Sequence, residues 1–435
     1  MKPMKLKTQF AGAIQELAFV TLSVLSISAM AMLTMGEVHA ADLKAPFEGE
    51  TSKVLPKGIR NPRFKNLTMI VDDKFDSEGV AKPLGAKLNK TVSWQDLKDA
   101  QPTVEDKAKI DGIVQAAGIQ GVGPGATTGA VKTAANVMVP VLAMGITDKF
   151  TAAVAVPIMN VKVDTATGFV KSADGQKFID EATKANTFKG VEAQTKLNDA
   201  INQKTTRLGY SEGVTDKTVK GVGDIKVVGK YLAYSDEDNA IGIKGDVTLP
   251  TGIKPNADKV IDVPTGDGQW DIGASAIYDR KLVEGLNFNA YSGYTVQLSD
   301  RLERRLPTSA TDSLSADKEM LDRNLGDVFS TGTSLAYTFD GVGLTLMSGY
   351  NYQYMAQTTY SRGTFAEERY KLLEAEMPLQ SIHAGTVGLG VSTVEFFKQK
   401  RFPLPLQGNL TFSHPFAGRN VTTNNVVMAE FVMFF

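Results

Sequence analysis

Few side chains in this sequence could take part in covalent or metal chemistry. There is no cysteine among the 435 residues, which removes disulfides, thiol nucleophiles and thiolate metal sites together. Of three histidines, His39 falls at the end of the N-terminal apolar stretch, leaving His383 and His414. Two imidazoles without a third ligand at metal-binding spacing predict no zinc site, no other metal and no cofactor. Ser413 adjoins His414, but neighbours on an extended strand point to opposite faces and do not make a nucleophile–base pair. Gly221-Val-Gly223 and Thr251-Gly252 are turn chemistry outside any phosphate-loop context. No enzymatic activity is expected.

The charged residues carry more information, because they alternate with apolar ones. Asp224, Lys226 and Lys230 share one face of a segment whose other face is Ile225, Val227, Gly229, Tyr231 and Ala233. Lys244 and Asp246 oppose Ile243, Gly245, Val247 and Leu249 in the next segment. With Asp271 and Glu430 they form the candidate set for a polar interior: Asp224, Lys226, Lys230, Lys244, Asp246, Asp271 and Glu430. Such residues either line a pore and tune what passes, or pair across neighbouring strands and close its wall, as Lys226 or Lys230 could with Asp246. Ala153, Ala155, Pro157 and Met159 offer an apolar stripe on the same inferred inner side.

Those faces require strands, and the strands require a membrane. Alternating segments of about 10–14 residues exceed the usual soluble strand of about five or six and match what a tilted strand needs to cross a bilayer. Five hairpins can be read: Val137–Gly145 with Phe150–Lys162, Val222–Ala233 with Ala240–Leu249, Trp270–Tyr278 with Leu286–Leu298, Phe329–Phe339 with Val342–Met355, and Val387–Phe396 with Leu404–Ser413. Arg63–Lys74 opens the set and Asn424–Phe435 closes it, giving twelve strands, with Arg63 and Lys65 set at the membrane interface. Connections alternate short and long, and closure into a barrel removes the unpaired edges that lipid cannot satisfy. Trp270, Tyr278, Tyr294, Phe339, Tyr350, Tyr352 and Tyr354 fall near strand ends on the inferred lipid face, as interfacial girdles do. The expected fold class is all-β: an antiparallel transmembrane β-barrel.

The termini give the address. Lys2, Lys5 and Lys7 precede an apolar stretch from Leu17 to Met35 that ends at Val38-His39-Ala40, the pattern of a cleaved secretory signal. A signal peptide over 1–40, a periplasmic segment over 41–62 and a barrel over 63–435 follow as the expected division, with long extracellular loops at about 76–128 and 165–220. At the other end Val427, Ala429, Phe431, Met433 and Phe435 form one apolar face ending on phenylalanine, while Glu430 points the other way. That tail resembles the C-terminal signal read by the barrel-assembly machinery, an expected partner alongside outer-membrane lipid. The formal net charge of -1 excludes a general nucleic-acid surface.

Residues 221 to 300 narrow the resemblance. Gly221-Val-Gly-Asp224 with Lys230-Tyr231, Thr248-Leu-Pro-Thr-Gly252, Gly268-Gln-Trp-Asp271 and Tyr291-Ser-Gly-Tyr294 resemble the phenol-degradation MetA-pathway family of outer-membrane barrels, and Gly145-Ile-Thr-Asp148-Lys-Phe150 is similar to its earlier hairpin. The likeness covers roughly 55–75 and 135–435. It implies a Gram-negative outer-membrane channel, monomeric, for passive uptake of small hydrophobic or aromatic solutes. A structural or ligand-binding barrel without transport is the alternative, since the long loops are roomy enough to bind partners. Within those loops Trp94–Leu97, Asp106–Ala117 and Glu181–Arg207 read as helices and Gly118–Gly129 as a flexible run; loop helices could cap or gate the barrel. A TonB-dependent receptor is not expected, because too few residues precede the first strand to form a plug domain.

Overall fold

The computed structural model describes residues 51–435 apart from 85, 87–88, 90, 100–103, 186–204, 213–215, 261, 310–313 and 340. Twelve antiparallel strands close on themselves. In chain order they are β1 (Arg60–Val71), β2 (Gly125–Thr147), β3 (Phe150–Ala155 and Ile158–Lys171), β4 (Lys217–Val222 and Ile225–Ser235), β5 (Asn239–Leu249) and β6 (Asp271–Val283). They continue as β7 (Leu286–Gln297), β8 (Val328–Phe339), β9 (Leu344–Met355), β10 (Gln380–Ser392), β11 (Leu406–Arg419) and β12 (Asn425–Met433). Each pairs with its sequence neighbours, and β1 pairs with both β2 (Arg60↔Met144) and β12 (Arg63↔Val432), so the sheet closes into a barrel. Closure is what satisfies every strand's backbone groups where water is absent. No described helix is long and apolar enough to cross a membrane.

Alternation places the side chains. On β7 Tyr291, Gly293 and Gln297 are buried while Ser292, Tyr294 and Val296 are exposed, and β9 repeats this with Thr345, Met347, Asn351 and Gln353 against Leu346 and Tyr350. Exposed Ile, Leu, Val and Phe side chains thus cover the outer face of a wall whose inner face carries both polar and apolar side chains.

β3 and β4 each break once, for identifiable reasons. Pro140 and Pro157 both lack an N–H, so the ladder between β2 and β3 thins to the bond from the Val156 amide to the Pro140 carbonyl at 3.1 Å. On the other side Ile158 pairs with Val222 and Ala155 with Lys226, so two β3 residues face three on β4: a bulge at Gly223–Ile225. Gly223 and Asp224 are consequently both buried, and the bulge turns Asp224 inward without throwing Lys226 out of phase.

One end of the barrel has short connections and the other long ones. The long connections pack on one another. Helices α1 (Trp94–Asp99), α2 (Val104–Ala116) and α3 (Ala173–Lys184) share a small core of Ile110, Ile113, Phe178 and Ala182. Ser172 caps α3, its Oγ accepting from the Gly175 amide at 2.9 Å and donating to the Gly123 carbonyl. A hairpin, Asp300–Arg305 with Lys318–Asn324, packs Leu306 and Leu321 against Tyr370 and Leu373 of α4 (Glu367–Ala375).

Several boundaries move relative to the sequence reading. The Gly118–Gly129 run is not a flexible hinge throughout, because Gly125–Gly129 already belong to β2, a strand of 23 residues. Small residues with alternating Val131 and Thr133 support that extension, and glycine content obscured it. The second helix begins at Val104, and most of the expected Glu181–Arg207 helix lies outside the described residues; the described helix starts earlier, at Ala173. β10 begins at Gln380 and ends at Ser392, and Val394–Lys398 is a short helix rather than a strand end. β12 stops at Met433, but the Arg60 amide donates to the Phe435 carbonyl at 2.7 Å and the Phe435 amide to the Arg60 carbonyl, so the last residue still stitches the seam.

Candidate functional site: the barrel interior

Two unlike half-walls face one another inside the barrel. Leu67, Met69 and Val71 of β1, Val131, Ala135 and Val137 of β2, Met159, Val161 and Val163 of β3, and Val426 and Met428 of β12 form one buried apolar cluster. Leu84, from the connection after β1, and Val263, from the connection after β5, complete it. These residues lie on contiguous strands, and the register requires it: Leu67 sits opposite Met428 and Val137, and Val137 opposite Met159. An apolar inner wall is the reverse of what a water-filled pore presents. Pro157 and Met159 of the expected apolar stripe are buried; Met159 belongs to the cluster.

The remaining strands supply the polar half. Lys226 Nζ lies 3.0 Å from Asp246 Oδ2, and Lys244 Nζ lies 3.7 Å from Asp246 Oδ1, all three buried. Gly273 makes this approach possible, since a Cβ there would fall 2.7 Å from an Asp246 carboxylate oxygen. Asp271 sits one residue pair away, opposite Thr248 on β5 and Gln297 on β7. Lys230 turns elsewhere: its Nζ donates to the Thr51 carbonyl at 2.8 Å. Glu430 meets Lys65 at 3.3 Å and accepts from Asn409 Nδ2 at 3.0 Å. Lys65 is therefore an interior partner and not an interfacial charge, and Arg63, two residues along the same face, donates to Asn61. Six of the seven expected interior residues thus fall into three groups: Lys226, Lys244, Asp246 and Asp271 together, Glu430 with Lys65 across the β1–β12 seam, and Lys230 against the N-terminal segment. Asp224 binds a loop.

That loop, residues 250–270, enters the barrel. Asp224 accepts from the Gly252 amide at 2.8 Å and the Asp267 amide at 3.1 Å, and Thr265 Oγ1 donates to the Val222 carbonyl at 2.7 Å. Val263 reaches the apolar half-wall while Asp267 and Gln269 stay on the polar side, so the loop spans both. Arg323 holds it from above: its guanidinium donates to the Asp267 carbonyl at 2.7 Å and pairs with Asp300 at 2.9 Å. Burial, with the nearby Asp224 and Asp300 charges, pushes the Asp267 carboxyl up to about 6; the Gln269 amide and Arg323 oppose the shift.

Further out, Arg305 is a hub. It makes five hydrogen bonds, to the carbonyls of Ala257, Leu208, Ser315 and Gly209 and to Asp258 Oδ1, and stacks 4.0 Å over the Tyr210 ring. Lys318 joins Asp258 at 3.0 Å, and with Arg305 beside it holds that carboxyl below its ordinary range. Three connections are thereby locked into one lid. At the opposite end the N-terminal segment lines the short-turn mouth: the Ser52 amide donates to Asp279 at 2.6 Å, the Leu55 amide to Thr151 at 2.7 Å and the Lys57 amide to Asp148 at 3.0 Å.

The outer face carries the rest of the sequence-level candidates. Val427, Ala429, Phe431 and Phe435 are exposed and Met433 half-buried, alternating with buried Val426, Met428, Glu430 and Val432. Trp270, Tyr294, Phe339 and Tyr350 are exposed, and Tyr278, Tyr352 and Tyr354 half-buried, on that same outward phase. His383 shares a 2.7 Å hydrogen bond with Tyr350, and His414 one of 2.7 Å with Asn425. The inserted loop and the arginine hub were missed from sequence, and of the apolar half-wall only the Met159 end of the expected stripe was reached. The phase of Leu67, Met69 and Val71 behind Lys65 could have shown more of it.

Among solved structures, an outer-membrane channel from Pseudomonas putida F1 superposes with a TM-score of 0.50 at 13% identity, over 89% of this chain and 98% of that one. This is the fold of an outer-membrane barrel. The translocator domain of the autotransporter NalP from Neisseria meningitidis matches with a TM-score of 0.40 at 8% identity, over 95% and 99% of the two chains. The Pseudomonas putida toluene transporter TodX matches at 0.32 and 10% identity, over 87% and 89%. No family model and no curated protein matches the sequence, so the likeness to the MetA-pathway family rests on the motifs quoted above.

Proposed function

We propose that this protein is an outer-membrane channel of a Gram-negative bacterium through which small hydrophobic or aromatic solutes pass passively. The apolar half-wall from β12 through β1, β2 and β3 carries this reading. A transmembrane wall gains nothing from facing apolar side chains inward unless they pack on an inserted element or contact an apolar solute; among the described residues Leu84 and Val263, one from each of two connections, pack on it, and their displacement would open it to a solute. The polar half would keep the rest of the path wetted, and Asp246 and Asp271 together would balance the charges of Lys226 and Lys244, favouring uncharged solutes over ions. No catalytic step is assigned to any residue. Uptake into proteoliposomes tests the proposal: small aromatic solutes should enter faster than sugars of similar size, and Met159→Glu or Val161→Asp should abolish that preference.

A second reading draws on the closures. The arginine-locked lid at one mouth and residues 51–57 at the other suit a barrel that presents its loops to a ligand and transports nothing. Solute entry into proteoliposomes separates the two, since such a barrel admits neither aromatic nor sugar even when residues 51–57 are deleted.

A further inference from the structure

On the outside of the barrel, at its long-loop end, lies a cavity of 290 Å³ that the interior pathway does not use. That is close to the lower end of the ~300–1,000 Å³ typical of small-ligand sites. Its wall is an aromatic row: Tyr294 of β7 sits directly opposite Phe329 of β8, which sits directly opposite Tyr354 of β9. All three belong to the outward phase. The opposite side is loop: Asn324, Gly326 and Asp327 before β8, and Ala356, Gln357 and Thr359 after β9. This loop side is built closely. Gly326 has φ +92°, and a Cβ there would come within 2.4 Å of the Ala356 carbonyl oxygen, so only glycine lets the two connections meet. The Gly326 amide donates to Asn324 Oδ1 at 2.9 Å, and the Ala356 amide to the Asp327 carbonyl at 3.0 Å.

We propose that this cavity binds a neutral sugar ring, the saccharide headgroup of a glycolipid in the surrounding leaflet. Three aromatic side chains in register on neighbouring strands offer stacking surface to the C–H face of a pyranose, and amide, hydroxyl and carboxylate groups at their edge offer partners for ring hydroxyls. Among the described residues, Asp327 is the only one lining the cavity that is charged at neutral pH. Its Oδ2 accepts from Tyr294 Oη at 2.7 Å and its Oδ1 from the Gln297 amide at 3.2 Å, leaving acceptor capacity on both oxygens for hydroxyl donors. A carboxylate with no lining cation repels phosphate, which disfavours a phospholipid headgroup. The position decides between free and lipid-linked sugar. The aromatic row sits near the strand ends on the lipid-facing side, at headgroup depth if the barrel spans a membrane, which is the one respect in which this inference rests on the proposed location.

The test uses the full barrel purified in an amine-oxide detergent, so that binding is read without transport. Native mass spectrometry would count retained dodecyl maltoside, dodecylphosphocholine and free maltose at matched concentrations. One maltoside per chain should be retained, at least tenfold more than phosphocholine or maltose. Phe329→Ala and Asn324→Ala should each lower that retention several-fold while the barrel keeps its heat-modifiable mobility on gels. Equal retention of phosphocholine, or variants that retain maltoside as wild type does, would overturn the site. Free maltose retained as well as the maltoside would overturn the lipid assignment.

Discussion

Glu430 illustrates how a single residue's role depends on its partner. In sequence it is a lone acid in an apolar tail, and the period of two turns it inward. What the alternation does not give is Lys65, because the partner lies at the other end of the chain and meets it only when β1 and β12 close the barrel. Both side chains are nearly inaccessible, so removing one leaves the other charge uncompensated. Glu430→Ala is expected to cost about 3–5 kcal/mol, read as a lower urea midpoint in detergent, while the double variant with Lys65→Met should recover most of the loss. In contrast Phe435→Ala, exposed on the outer face, should leave the folded barrel's midpoint nearly unchanged and lower the yield of assembled protein in cells. The seven charged candidates were legible because charge on an alternating strand must face away from lipid. Of their partners, the sequence offered Asp246 for Lys226 or Lys230, and Lys226 takes it; the others were not legible, since register across strands depends on turns and bulges such as Gly223–Ile225 that carry no strong sequence mark.

Among the elements, the inserted loop 250–270 and the lid have the most to do with access. Asp267 has its folded pKa raised to about 6, against about 3.9 in an unfolded chain. Between those values the docked loop binds more protons than the released one, so docking weakens as pH rises from about 4 to 6 and stays at its weakest above that. Asp258 acts in the opposite sense, but its contribution is lost only as pH falls through its depressed pKa, outside that window. Amide exchange over 250–270 should therefore be faster at pH 7 than at pH 5 after correction for intrinsic rates, and Asp267→Asn should shrink the difference, Asp262 of the same loop being raised by burial as well. Arg305→Ala severs the link among three connections; a loss of roughly 3 kcal/mol in lid stability should open segments 205–212 and 305–318 to limited proteolysis. Strand existence was readable from the sequence because the alternation is long. The loops were not, since their order comes from a few arginines binding distant carbonyls, a pattern with no period.

At the level of the whole molecule, twelve strands, an even count and a stitched seam at Arg60 and Phe435 make a closed wall, and the interior divides into an apolar and a polar half. The sequence reading reached the architecture because lipid imposes it on every strand. It reached the apolar side only at the stripe ending on Met159, because most of that half comes from β1, β2 and β12, and β12 meets β1 only when the barrel closes. The central claim is that this half-wall carries uncharged apolar solutes. Its most direct test is the initial rate of entry of a small neutral aromatic alcohol and of a pentose into proteoliposomes bearing wild-type protein or the Met159→Glu variant. The account predicts that the wild type passes the aromatic at least tenfold faster and that the variant loses this ratio while remaining a folded barrel. Equal rates for both solutes in the wild type, or a ratio unchanged in the variant, would contradict it.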